Sequence, residues 1–331
     1  MRALVAEQNY EAAEFHLDEL IERDQNERNI AQYRAVQRQI LNDKPYGISG
    51  SFSLVPSTNI NRGTTNRVFS TGIGDFTIVE ESKETPGTSV NLSLSAFRRF
   101  QLNEEATLTV TGTASGAQAL EDGNPAATLS FGVDYRYLTD TGYWQLSPEA
   151  SLSFIDGTKS YYTIGLGYDL QRRTSRQDIW TYSIKGSENQ FYEDTSRDGV
   201  YLASSVNLRH IINPTLAVTT ELALGAGLPA RQDLQYRDVS ISADISKAWQ
   251  SGWRTTAGVK FGYRLYQANF TAVDYAREDQ SRALNVSFAN ANFSFAGLSP
   301  SLGCSIKDVA SNVAFYDYTV TECGIGLTRR F

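Results

Sequence analysis

From Tyr46 onward, apolar and polar residues alternate with a period of two, segment after segment, which is the signature of strands with one apolar and one wet face. In 47–55, Ile48, Phe52 and Leu54 share one side and Ser49, Ser51 and Ser53 the other. In 88–101, Val90, Leu92 and Leu94 oppose Asn91, Ser93 and Ser95, and a third segment follows at 104–117. The fourth, 124–138, sets Leu129, Phe131, Val133, Tyr135 and Tyr137 against Ser130, Gly132, Asp134 and Arg136. Similar segments at 143–155, 159–172, 177–190, 197–211, 214–227, 232–249, 252–268, 280–291, 297–308 and 317–331 bring the total to about 14 strands, an even number as in single-chain bacterial barrels. The last stops on Phe331, which shares its face with Ile325 and Leu327, while Glu322, Gly324, Gly326 and Thr328 point the other way. Outer-membrane β-barrels end this way. The expected fold is therefore all-β, a transmembrane antiparallel β-barrel over residues 46–331.

The links between segments divide into two kinds. Gln101-Leu102-Asn103, Thr139-Asp140-Thr141-Gly142, Ile212-Asn213-Pro214 and Gln250-Ser251-Gly252 read as tight turns and fall at one end of the barrel. The long links 56–87, 269–279 and 309–316 fall at the other. Short periplasmic turns and long external loops are the usual asymmetry, so the N-terminus is expected in the periplasm. Trp144, Trp249 and Trp253 flank tight turns, where an interfacial aromatic girdle belongs.

Residues 1–45 differ in kind. Tyr10, Ala13, Leu17, Leu20 and Ile21 fall at helical spacing, Asp24-Gln25-Asn26 interrupts them, and Ile30, Tyr33, Val36, Gln37 and Ile40 resume it. The prediction is a short α-helical hairpin ended by Lys44-Pro45. Asn9-Tyr10-Glu11-Ala12-Ala13 followed by Leu17 resembles the first helix of a tetratricopeptide repeat, whose helix pairs normally stack in series. A single pair reads as the remnant of a longer array.

Composition narrows the class. At 41% hydrophobic residues, no apolar run is long enough for a transmembrane helix, and the most apolar stretch, 214–230, carries Glu221 at its middle. A barrel needs only half of each strand to be apolar. A net charge of −7 argues against a nucleic-acid partner, which calls for a basic stripe. The opening Met1-Arg-Ala-Leu-Val-Ala leads directly to Glu7 with no signal peptide, whereas a barrel requires export. The sequence is accordingly expected to be an N-terminally truncated or mis-started version of a longer precursor. Cys304 and Cys323 lie on the last two strands, at similar distances from the turn near 313. The simpler reading is a pair of small apolar lipid-facing thiols, and the alternative is a disulfide formed in an oxidising periplasm.

Candidate chemistry is sparse. His210 shares the parity of Leu208 and Val206, and Ser204 is too far along the strand to serve it as a nucleophile, so no enzyme is expected. No cofactor or metal motif is present in the sequence. The residues expected to line the lumen are Asp134, Arg136, Glu149, Asp169, Lys185, Arg209, Glu221, Asp244, Lys260, Arg264, Lys307 and Glu322. Mixed signs read first as a solvated wall with cross-strand pairs and second as a selective path. Residues 56–87 are too long, and at Phe76-Thr77-Ile78-Val79 too apolar, to hang in water. Phe76, Ile78 and Val79 are expected to pack inward as a plug or lid.

Three stretches carry a family resemblance: Tyr46-Gly47-Ile48-Ser49-Gly50-Ser51-Phe52-Ser53-Leu54-Val55 with Pro56-Ser57-Thr58-Asn59-Ile60-Asn61, then Ser311-Asn312-Val313-Ala314-Phe315-Tyr316-Asp317-Tyr318, and finally Gly324-Ile325-Gly326-Leu327-Thr328-Arg329-Arg330-Phe331. Together they resemble the surface lipoprotein assembly modifier (Slam) family, in which periplasmic tetratricopeptide repeats precede a fourteen-strand barrel. The resemblance implies passage of lipoproteins or related protein cargo across the outer membrane. It also implies outer-membrane lipid and the barrel assembly machinery as partners, the latter through the C-terminal strand and Phe331, with the chain a monomer. The reading from residues alone leaves a small-molecule diffusion porin as the alternative.

Overall fold

The computed structural model describes Leu17, Leu20, Ile21, Asp24 and residues 26–43, 45–71, 74–121, 125–271, 273–290 and 298–330. The strands are β1 (Tyr46–Ser57), β2 (Val68–Thr71), β3 (Gly74–Thr77), β4 (Gly87–Gln101), β5 (Ala106–Ala119), β6 (Ala126–Thr139), β7 (Gly142–Ile155) and β8 (Thr158–Arg173). They continue with β9 (Asp178–Phe191), β10 (Gly199–Asn213), β11 (Leu216–Pro229), β12 (Tyr236–Ala248), β13 (Trp253–Asn269), β14 (Ala276–Asn290), β15 (Leu298–Ser311) and β16 (Tyr318–Arg330). β1 and β4 through β16 form a closed antiparallel barrel in which each strand pairs with its chain neighbours, and β1 closes the ring on β16. β2 and β3 form a separate hairpin within the long link after β1. No helix among the described residues is long and apolar enough to cross a membrane.

The register shows why alternation closes a barrel. Phe52 lies opposite Leu92, Leu94 opposite Ala114, Ala114 opposite Leu129 and Leu129 opposite Leu152, so apolar rows run from strand to strand on the outside. Leu92, Leu94, Phe131, Ile164, Ile184, Ile241, Phe261 and Ile325 are all more than half exposed, as side chains in contact with lipid must be. Tyr137 stacks on Trp144 and Trp180 on Tyr182 near the tight-turn end, where Trp249 and Trp253 are also exposed. The expected twelfth segment begins earlier than its apolar residues suggest, at Ala276, because Arg277 to Asp279 continue the ladder in polar residues. At the long-loop end the link between β7 and β8 is an exception to the expected asymmetry. Asp156 and Gly157 both have positive φ, 50° and 74°, and make a two-residue hairpin turn that suits the strand twist.

The helix α1 (Glu27–Asp43) matches the second half of the expected helical hairpin; most of the first half lies outside the described residues. Ile30 and Ile40 are buried on one face, and Leu17 is fully buried. The Asn26 side chain accepts from the Arg28 amide at 3.0 Å, capping the first turn. Asp24 accepts from the Tyr33 hydroxyl at 3.0 Å, and burial together with this carboxylate raises the phenol above its usual pKa. α1 sits at the tight-turn end: Arg34 donates to the Thr139 carbonyl after β6, and Arg173 at the end of β8 donates to the Ile21 carbonyl at 2.7 Å.

Cys304 and Cys323 form a disulfide, which corrects the simpler reading of two free thiols. Parity placed both on the outer face. The register adds the deciding fact, because it makes them directly opposite partners on β15 and β16 with Cα atoms 4.1 Å apart.

Candidate functional site

The lumen is the candidate site, and the strand register settles which side chains reach it. Asp134 and Arg136 on β6, Glu149 on β7, Asp169 on β8, Lys185 on β9 and Arg209 on β10 fall on the face opposite the exposed apolar rows. So do Glu221 on β11, Asp244 on β12, Lys260 and Arg264 on β13, Lys307 on β15 and Glu322 on β16. Several of them form pairs. Lys185 meets Glu149 at 2.5 Å across the intervening β8, which presents Gly165 there; a Cβ on Gly165 would lie 3.2 Å from Glu149 Cγ. Gly258 plays the same part on β13, where Asn285 donates to Asp244 across it at 3.4 Å. Gln145 joins Arg136, at 2.8 Å, to Asp134, at 3.1 Å, and the Ser183 hydroxyl donates to Asp169 at 2.5 Å. Lys307 lies over the Tyr318 ring, and Glu322 is opposite Ser57 and Ser305.

Two inward groups were missed in the sequence. Asp238 binds Arg264 through its Oδ2 atom, at 2.6 Å from Nη2 and 3.0 Å from Nε, while the guanidinium stacks 4.0 Å from the Tyr236 ring centroid. Arg277 and Asp279 form a two-pronged pair at 2.6 and 2.9 Å, with Arg277 3.2 Å from the Tyr316 ring centroid. Extending the parity of Asp244 toward the start of β12 finds Asp238. Nothing in the local pattern marks the second pair, which lies in the unexpected opening turn of β14.

Between β9 and β13 the inner wall is hollowed by small residues, Ser183, Ala203, Ser205, Ala223, Gly225 and Ser240, into a recess of about 420 Å³. Lys185, Lys260, Glu221, Asp238, Tyr201 and Tyr236 line it. The opposite wall carries hydroxyls instead: Ser49, Ser51 and Ser53 on β1, Ser93 and Ser95 on β4, and Thr109, Thr111 and Thr113 on β5. Ser95 and Thr113 are 2.7 Å apart, and Asn91 donates to Ser53 at 3.3 Å.

At the long-loop end the β2–β3 hairpin folds down onto the links that follow β13 and β15. Phe69, Ile78 and Val313 form a buried cluster with Phe270, Val273, Phe315 and Tyr316 packed against it. Of the three side chains expected inward, Ile78 is 1% exposed, but Phe76 is 48% and Val79 60% exposed. The anchor beside Ile78 is Phe69, whose ring centroid lies 4.9 Å from that of Phe315. Polar clamps complete the attachment. Asn59, fully buried, donates to the Gly63 and Thr319 carbonyls at 2.8 and 3.2 Å and accepts from the Gly63 amide. Asn61 donates to the Lys83 carbonyl at 2.6 Å and accepts from the Thr85 amide, and the Thr64 hydroxyl donates to the Ala314 carbonyl at 2.6 Å. The Pro56-to-Asn61 and Ser311-to-Tyr318 elements, distant in sequence, thus border one loop assembly. Phe331 lies outside the described residues.

His210 faces outward at the tight-turn end and pairs with Asp178 at 2.8 Å. Ser204, six residues away on the same strand, is roughly 20 Å off at the usual rise per residue. No group of three or more side chains that could hold a metal ion occurs among the described residues.

Residues 46–331 match the family described as surface lipoprotein assembly modifier. No curated protein matches the chain. Among solved structures, similarity extends to a loop-deletion mutant of the outer-membrane protein OmpT of Vibrio cholerae, at 10% identity and TM-score 0.48, covering 86% of this chain and 99% of that one. A bacterial polysaccharide outer membrane secretin is similar at 10% identity and TM-score 0.47, covering 85% and 98%. Acinetobacter baumannii OccAB4 is similar at 9% identity and TM-score 0.41, covering 87% and 99%. No functional reading rests on these structural likenesses.

Proposed function

Since the chain belongs to the surface lipoprotein assembly modifier family, an outer-membrane barrel family, we propose that it moves lipid-anchored or related protein cargo across the outer membrane through its lumen. The observation that carries this reading is the clamped hairpin. Asn59, Asn61 and Thr64 fix the loop, and Phe69 and Ile78 seat it on the links after β13 and β15, and in this reading it serves as a lid at the long-loop mouth held by releasable contacts. In this reading the tight turns and α1 face the periplasm, where cargo is received, and the charged and hydroxyl walls line the path. The barrel is a monomer that the assembly machinery inserts by its C-terminal strand.

Deleting residues 64–84 tests the reading. The intact barrel in planar bilayers should conduct weakly, and the deletion should raise single-channel conductance severalfold. A wild-type barrel that already conducts strongly, and changes little on deletion, would instead support a small-molecule porin.

A further inference from the structure

Two strands flank β1, and it binds them unequally. Against β4 its ladder is unbroken from Tyr46, opposite Arg98, to Ser57, opposite Gly87. Against β16, among the described residues, it pairs from Ser49 to Leu54 with Arg330 to Ile325, then only at Ser57 with Glu322. Val55 and Pro56 drop out of that ladder. Pro56 has no N–H to offer, and Gly324 opposite Val55 has no room for a side chain, since a Cβ there would lie 2.9 Å from Val55 Cγ2. Beyond the gap, β16 is tied to β1 mainly by loop residues: Thr58 exchanges two hydrogen bonds of 3.0 Å with the Thr321 backbone, and Asn59 donates to Thr319.

The lipid-facing belt is also interrupted beside this seam. On β8 the outward row is apolar over five successive positions, Tyr162, Ile164, Leu166, Tyr168 and Leu170, before Arg172 ends it. On β14 the outward row opens with Glu278, Gln280 and exposed Arg282, and turns apolar only at Leu284. Arg282 lies opposite Asp308 on β15, which lies opposite Thr319 on β16. Charge on a lipid face is tolerated near the interface and not at mid-membrane. The hydrocarbon layer against β14 to β16 is therefore thinner than against β8.

We propose that the barrel wall parts between β1 and β16, giving the acyl chains of a lipid-anchored cargo a lateral exit into this thinned lipid. The inference rests on the translocation reading above and supplies what a closed polar lumen lacks, a route for hydrocarbon. The lid governs the seam, because Thr58, Asn59 and Thr64 join the lid loop to β16 and to the link before it. The Cys304–Cys323 disulfide staples β16 to β15 at the level of the gap, so β16 leaves β1 and stays with the body of the wall.

Hydrogen exchange of the wild-type barrel in liposomes provides the first measurement. Backbone amides of the β1–β16 ladder should exchange at least about tenfold faster than those of β4–β5; equal protection overturns the proposal whatever the fate of any variant. The second is a lock. Phe52→Cys with Leu327→Cys bridges the seam on its lipid face, and Leu94→Cys with Ala114→Cys bridges β4 and β5 in the same way. Folding is verified by heat-modifiable gel mobility and pairing by mass spectrometry of unreduced peptides. In native cells fed an alkyne fatty acid, surface protease should shorten the labelled proteins of wild type and of the β4–β5 variant. Shortening should fall to the level of a strain lacking the barrel when the seam is oxidised, and return on reduction. If the strain lacking the barrel still displays those proteins, the translocation reading fails. If that strain loses them while the oxidised seam variant keeps them, translocation stands and the lateral exit is wrong.

Discussion

On the inside of β1, β4 and β5 the wall presents Ser51, Ser53, Ser93, Ser95, Thr111 and Thr113, whereas across the lumen β9 to β13 present Lys185, Glu221, Asp238, Asp244, Lys260 and Arg264. The outsides of the same two regions are alike: Leu92 and Leu94 are 61% and 54% exposed, and Leu222 and Leu224 are 49% and 53% exposed. The bilayer imposes one requirement on every strand, so the outer rows converge. Water imposes almost none, so the inner rows are free to differ. A hydroxyl donates and accepts with any partner, while a fixed charge selects by sign.

The largest test concerns the likeness outside. Leu94→Arg on the hydroxyl side and Val259→Arg on the charged side should each destabilise the folded barrel by about 2–4 kcal/mol if both sit near the membrane midplane, read by urea titration in liposomes. Clearly unequal costs would break the premise that the two outer faces meet the same lipid. Lys260→Gln, one residue from Val259 and facing inward, should be nearly silent in the same assay.

The next is inside. Asp238→Asn removes the ionic partner of Arg264 in a partly exposed pair, and after solvent screening it should cost about 0.5–1 kcal/mol. Ser95→Ala, which removes the contact to Thr113, should stay within about 0.5 kcal/mol. A larger loss from the serine would mean that the hydroxyl wall is structural.

Smallest in energy and sharpest in meaning is ion selectivity in the lid-deleted barrel. Lys185→Glu with Lys260→Glu should move the reversal potential toward cations, and Ser93→Lys with Ser95→Lys should move it toward anions. A shift from only the first pair would confine traffic to the charged wall. No shift from either would remove the lumen as a path.

The barrel was legible in the sequence because a lipid face and a wet face force every strand to declare its parity, residue by residue. Even the disulfide was half legible: parity set both cysteines outward, but only the register could place them opposite one another. The lid was harder. Phe69 stands in a short polar stretch with no period to mark it, and its burial depends on Val313 and Phe315, which lie far away in sequence. Phe76 and Val79 looked equally apolar but have no such partners, and they remain exposed. Asp279 escaped for a different reason, since charged residues at a strand's wet end look like loop until the ladder is seen to continue through them.

All the ladders of the barrel but two join strands separated only by a turn or short link, and of those two, β1–β4 spans the loop that carries the β2–β3 hairpin while β1–β16 spans nearly the whole chain. That ordering has a kinetic meaning. Hairpins form with little loss of chain entropy, while the ring closes only after the last strand has been made. Until then the first strand waits with one edge bare, a template for any passing strand. The ladder that forms last and spans the greatest chain length is also interrupted, at Val55 and Pro56, so the step that completes folding joins the two ends of the chain by a broken seam.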